Sequence, residues 1–215
     1  FELSQNYTLF YDKLEKANYF LESILATLDE PTNGRVIAHL LMAPLNDGGQ
    51  WDMFCSLIEK YGVVPKDAMP ETVSSSATRE MVSYMTRKLR EYACTLRTAY
   101  ANGKTVEELR ALKEGMMGTV YNMLCIALGK PPKTVALEVR NKKKEFIRDE
   151  NLTGKEFFQK YVGWDLSQSV SLITAPKAAK PYHKTYTVNL LGNVEERLPV
   201  PYLTLPVASA TAAGL

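Results

Sequence analysis

The stretch NDGGQWDMFCSLIEKYGVVP, residues 46–65, decides how this sequence is read. Ala43-Pro44-Leu45 and Asn46-Asp47-Gly48-Gly49 form a loop by their turn residues. From Gln50 to Tyr61 the side chains of Trp51, Phe54, Cys55, Ile58 and Tyr61 recur at helical steps and line one face, and Gly62 stops that helix. The glycine pair just ahead of the helix admits two readings. With no Cβ to exclude it, another backbone can approach closely, which makes the loop a groove wall for an extended peptide. Alternatively the pair is a tight turn that caps the helix. Local sequence leaves both open.

Working outward, the N-terminal side is helical. Tyr7, Phe10, Tyr11, Leu14, Ala17, Leu21, Ile24, Leu25 and Leu28 keep a three- and four-residue period behind the N-cap Ser4, as one long helix or two abutting at Asn18-Tyr19. A short helix over Arg35 to Met42 follows the turn at Pro31-Thr32-Asn33-Gly34. On the C-terminal side, residues 65–76 read as a Pro- and Ser-rich connector. It leads into two long amphipathic helices, Ala77 to Ala101 and Val106 to Leu128, joined at Asn102-Gly103-Lys104. Thr105 and Glu108 have the spacing of a capping box, and Gly129 with Pro131 and Pro132 ends the second helix. The period then becomes two: Val135, Leu137 and Val139 alternate with Ala136 and Glu138, and Phe146 opens a second run beyond Asn141-Lys142-Lys143-Lys144. This is a β-hairpin with a basic tip. Thr153 and Glu156 make another capping box for a helix to Val162, with strands expected over Ser169 to Thr174 and Tyr186 to Leu191. The closing ASATAAGL has no period and reads as disordered or loosely packed.

Composition narrows the class. Of 215 residues, 46% are hydrophobic and 23% charged, too apolar for a disordered chain, and the 12 Gly and 11 Pro show no collagen-like period. A chain of this size buries about 70% of its unfolded surface and needs neither disulfide nor metal to fold. Cys55, Cys94 and Cys125 are an odd, scattered set and read as free thiols of a reducing compartment. The uncharged stretches Gly115 to Gly129 and Leu198 to Leu215 are respectively too short and too rich in proline to cross a bilayer. The first residues lack the pattern of a signal peptide and read as a chain entered in mid-domain. Net charge is +2, but residues 77–148 carry 15 Lys and Arg against 7 Asp and Glu, while the remainder carries 11 against 17. The charge is strongly dipolar.

The pieces FELSQNY, LEKANYFLE, NDGGQWDM, EKYGVVPK, GKPPKTVALEVRNKKKEF, TGKEFFQKYV and KTYTVNLLGNV stand in this order along the chain. From residue 1 to about 203 the sequence resembles the left-hand, mainly helical half of a papain-like cysteine peptidase, in the bleomycin hydrolase and aminopeptidase C branch of that family. The resemblance implies an α+β, predominantly helical fold: a partial papain-like cysteine protease domain carrying a helical hairpin plus β-hairpin insertion. Residues 1–70 would be the left lobe with the groove loop, 71–150 the insertion and oligomerisation subdomain, 151–203 the return to the protease domain, and 204–215 an atypical tail.

For function, the resemblance implies a cytoplasmic cysteine aminopeptidase that removes N-terminal residues from a peptide substrate, with no cofactor, no metal and no membrane. The nucleophilic Cys and oxyanion Gln would lie upstream of Phe1, and the His and Asn beyond Leu215. No catalytic residue is therefore expected in the chain, and alone it would be silent. Gly48 and Gly49 match the family's substrate-contacting pair, whose main-chain groups hold the substrate's second residue from the cut as an added strand. Asp47, Gln50 and Trp51 flank them and shape that pocket, although Asp47 stands where papain has Asn.

The insertion implies a homo-hexamer for the whole enzyme. Some members bind nucleic acid through positive charge in the interior channel, and here Arg87, Lys88, Arg90, Arg97, Lys142, Lys143 and Lys144 could supply such a field. Solvated faces and ordinary protection of a hairpin are the alternative. The other class of reading is a non-enzymatic helical oligomerisation or nucleic-acid- or anion-binding module. Cys55, Cys94 and Cys125 are expected to pack as small hydrophobes, His39 and His183 as packed or solvated imidazoles, and Met81, Met85, Met116, Met117 and Met123 as helix–helix core or interface.

Overall fold

Ser4 starts the first helix in the way its position suggests. Its Oγ accepts from the Tyr7 N–H at 3.0 Å and donates to the Met69 carbonyl at 2.5 Å, so one hydroxyl caps the helix and ties it to a distant turn. The computed structural model describes residues 1–169, with the backbone of 171–173, 184–188 and 200–204. Helix α1, Gln5–Ala26, passes through Asn18-Tyr19 without a break. It is followed by α2 (Arg35–Met42), α3 (Trp51–Tyr61), the four-residue α4 (Val73–Ser76), α5 (Arg79–Ala101) and α6 (Val106–Leu128). Strands β1 (Val135–Arg140) and β2 (Phe146–Leu152) pair antiparallel, with a register shift between Val135 and Leu137. Next comes α7 (Gly154–Phe157), which runs into a π-turn over Phe158–Val162. Short strands β3 (Ser171–Ile173), β4 (Lys184–Val188) and β5 (Val200–Thr204) form a sheet ordered β3-β5-β4, with β5 parallel to β3 and antiparallel to β4.

The chain divides into two compact units, Phe1–Gly48 with Leu57–Val162, and Gly49–Ser56 with Gly163–Leu215. These bounds differ from the segments read along the sequence, and the first unit shows why. Its core lies between α1 and the hairpin α5–α6. Phe10, Leu21 and Ile24 of α1 are fully buried with Leu89 and Leu96 of α5 and Leu109 and Leu124 of α6. Phe10 meets Tyr121 of α6 edge-to-face at 5.3 Å. Glu22 of α1 takes Arg110 of α6 at 2.7 Å and Lys113 as well. The hairpin therefore shares one core with the N-terminal helix. The second unit holds the start of α3 and the three-stranded sheet.

Several elements depart from expectation. The 65–76 connector contains a 3₁₀ turn at Lys66–Ala68 and α4, whose box is built by Thr72 and Ser75. The boxes of Thr105 with Glu108 and Thr153 with Glu156 form as read. Helix α5 begins at Arg79 rather than Ala77, and β5 lies in the stretch read only as unable to span a membrane. Cys94 is exposed on α5 rather than packed: it sits about 200° around the helix from both Tyr92 and Leu96, which are buried. Cys55 and Cys125 are half-buried. Met81, Met85 and Met116 are core residues, and Met117 and Met123 are half-buried. His39 is exposed on α2, while His183 and the tail 205–215 lie outside the described residues. Among the described residues no helix is long and apolar enough to cross a membrane.

Candidate functional site: a glycine ledge held from below

Helix α1 carries five charges, and four of them fall within a single turn: Asp12, Lys13, Glu15 and Lys16. On a solvated face these would be ordinary. Here Lys13 is fully buried, and Glu15 and Lys16 nearly so. A buried ammonium is tolerable only when its donors are satisfied and its charge is answered. Lys13 Nζ donates to the Asn46 carbonyl at 2.7 Å and to Asp47 Oδ1 at 2.6 Å, with Asp12 Oδ2 at 3.3 Å. Lys16 Nζ reaches Gly48 O at 2.6 Å, Asp12 Oδ2 at 2.9 Å and Asn46 O at 3.1 Å. Glu15 holds the far end of the following helix, pairing with Lys60 at 2.7 Å and accepting from the Tyr61 hydroxyl. Tyr61 also stacks on Tyr11 of α1, with centroids 3.7 Å apart and planes 13° from parallel. One turn of α1 thus fixes the chain at Asn46–Gly48 and again at Lys60-Tyr61.

The loop's other anchor is Thr78, whose Oγ1 donates to Asp47 Oδ2 at 2.8 Å. The bond from Lys13 is the main reason the Asp47 carboxyl titrates below its ordinary range. Its contribution to the loop is therefore complete above about pH 3.9 and fades as the pH falls through the lower folded value. Both Asp47 oxygens are committed, so this side chain, although exposed, is a strut of the loop.

Gly48 and Gly49 are exposed, and among the described residues a Cβ built on either meets nothing within 4 Å. Neither has a positive φ. Among the described residues no backbone hydrogen bond draws on the N–H of Gly48 or Gly49. Gln50 is exposed, and its carbonyl accepts from Met53 and Phe54 at the start of α3. Trp51 is 41% exposed, and its ring lies 5.5 Å from Phe54 and 6.5 Å from Trp164, which is 62% exposed. The helical face read from the sequence thus splits. Trp51 and Phe54 are exposed, and burial falls on Ile58 and on Leu57, which the period did not select.

The basic residues separate in the same way. Arg97 spans the end of α1, donating to Thr27 O at 2.8 Å, Glu30 O at 2.5 Å and Thr32 Oγ1 at 3.3 Å. Arg90 caps α2 through Leu41 O at 2.8 Å and Met42 O at 3.0 Å. Lys88 pairs with Glu91 at 2.8 Å, and Arg87 lies over the Tyr84 ring. Lys142, Lys143 and Lys144 stay exposed at the hairpin tip, where Lys144 takes φ 64°. Arg97→Met should therefore cost about 1.5–3 kcal/mol of stability, the range for charged hydrogen bonds. Chemical denaturation checks this. A DNA-binding salt slope lowered by about one in the same variant would instead place Arg97 on a phosphate.

The model of the peptidase C1-like family matches residues 1–213. The chain belongs to that family. It is 46% identical over 205 residues to aminopeptidase C of Listeria monocytogenes, covering 95% of this chain and 46% of that one. To bleomycin hydrolase of Homo sapiens it is 36% identical over 225 residues, covering 100% of this chain and 50% of that one. The crystal structure of PepW from Lactobacillus rhamnosis HN001 superposes with a TM-score of 0.93 at 47% identity, over 99% of this chain and 48% of that chain. The α+β, predominantly helical architecture is thus that of a papain-like peptidase. The chain spans about half the length of the relatives it matches.

In this C1-like chain the residues that sequence reasoning missed are Lys13, Lys16 and Thr78. The available signal was the DKLEK run, which concentrates four of the five charges of a 22-residue helix in one turn.

Proposed function

We propose that these residues form the substrate-gripping wall of a cysteine-type aminopeptidase, and that the Cys, His and Asn which cut the peptide are carried outside the 215 residues. The main-chain groups of Gly48 and Gly49 take the substrate as a short added strand, with Gln50 and Trp51 beside them. The names of the relatives, aminopeptidase C and bleomycin hydrolase, support the reaction class. One observation carries the role of the ledge: the fold needs glycine at neither position. Neither φ nor crowding by the described residues requires it, yet side chains are missing from two adjacent exposed residues whose loop is anchored from below. What glycine preserves there is open space above the backbone, which is what an incoming strand occupies.

Substitution separates this from a helix-capping turn. In the full-length enzyme carrying this segment, Gly48→Val and Gly49→Val should leave the melting temperature within about 2 °C, because the new Cβ meets nothing among the described residues. Each should raise KM for an aminoacyl peptide by about tenfold or more, a loss of ~1.4 kcal/mol of binding. A large fall in melting temperature with KM unchanged would make the pair a turn and end the proposal.

A further inference from the structure

We infer that Lys13, Lys16 and Thr78 are positioning residues of the ledge, through which the start of the helical hairpin helps hold the substrate-binding loop in its working shape. The inference rests on the reading of Gly48 and Gly49 as a peptide ledge and adds what keeps that ledge ordered. Loops of small polar residues are ordinarily mobile, and ordering one upon binding costs affinity. This loop is built against that cost. Both ammonium groups are fully subscribed, each with three oxygen partners, and the loop supplies Asn46 O, Asp47 Oδ1 and Gly48 O among them. Fixing the Gly48 carbonyl from the α1 side sets the orientation of the peptide plane it shares with Gly49, and so directs the Gly49 N–H.

Thr78 adds the link to the hairpin. It occupies the N-cap position of α5, where a threonine side chain ordinarily accepts from its own helix, but it makes no such bond. Its backbone is helical there, at φ −66° and ψ −18°, which turns the side chain away from the cap, and its hydroxyl donates to Asp47. The threonine caps Thr72, Thr105 and Thr153 have extended dihedrals and accept from their helices, whereas the helical backbone at Thr78 leaves its side chain for the loop.

Two measurements on the same proteins test this. Nitrogen-15 relaxation of the unliganded 215-residue chain should show Gly48 and Gly49 as rigid as α1, with order parameters near 0.85, falling below about 0.6 in Lys16→Met and Thr78→Val. Trialanine, titrated against the same variants, should bind three- to tenfold more weakly than to the wild type, with Thr78→Ser restoring both rigidity and affinity. A purely structural role would lower the melting temperature without this local change. Unchanged order parameters in both variants would overturn the clamp. Failure of the wild type to bind trialanine would overturn the ledge instead, while the relaxation measurement would still decide the clamp.

Discussion

Gly62→Ala should prevent the native fold from forming. Gly62 lies at φ +74°, a conformation glycine adopts freely and alanine does not, and a Cβ there would stand 2.0 Å from the Gly154 carbonyl carbon and 2.1 Å from its oxygen. Those atoms are backbone and cannot rotate away. The close approach is itself bonded, since Val63 N–H donates to Gly154 O at 3.1 Å and the Tyr7 hydroxyl to Tyr61 O at 3.0 Å. Burial adds to this by pushing the Tyr7 hydroxyl far above its usual titration range, so the donor stays protonated. The expected loss is more than about 4 kcal/mol, in the exceptional class of single substitutions. Thermal unfolding followed by circular dichroism gives the result. A cooperative transition within a few degrees of the wild type would mean that the two glycine backbones do not meet.

Phe10→Ala should be the next most damaging, at about 3–5 kcal/mol. The ring is fully buried, edge-to-face with Tyr121 of α6 at 5.3 Å and Tyr11 at 5.4 Å. Because α5 and α6 share their core with α1, the loss should lower the unfolding of the hairpin and of α1 together. Hydrogen exchange resolves the two. Amides of Leu89 and Leu124 should lose protection in step with those of α1. Protection retained in the hairpin alone would make it a separately folding subdomain.

Local signals made the helices legible. Ser4, Thr105 and Thr153 announce their helices with side chains that do cap them, and α2 and α6 have the bounds their apolar period indicates. Helix α4 escaped that reading because four residues cannot display a period, and its box uses Ser75 in place of the acidic partner. The ledge was legible as a glycine pair, but what supports it was not. Lys13 and Lys16 look like a solvated face until Asn46–Gly48 folds over them from thirty or more residues away. The same non-local cause governs Arg90 and Arg97, whose charge suggests an anion field while their guanidinium groups serve carbonyls at the ends of α2 and α1. Charge can be counted from sequence, but the partner that absorbs it is a property of the fold.

The most direct measurement is an amide-resolved NMR titration of the 215-residue protein with trialanine carrying a free N-terminus. The Gly48 and Gly49 resonances should shift together and saturate, and the Gly49 amide should gain protection from exchange. Shifts confined to other residues, or none at either glycine up to tens of millimolar peptide, would contradict the ledge.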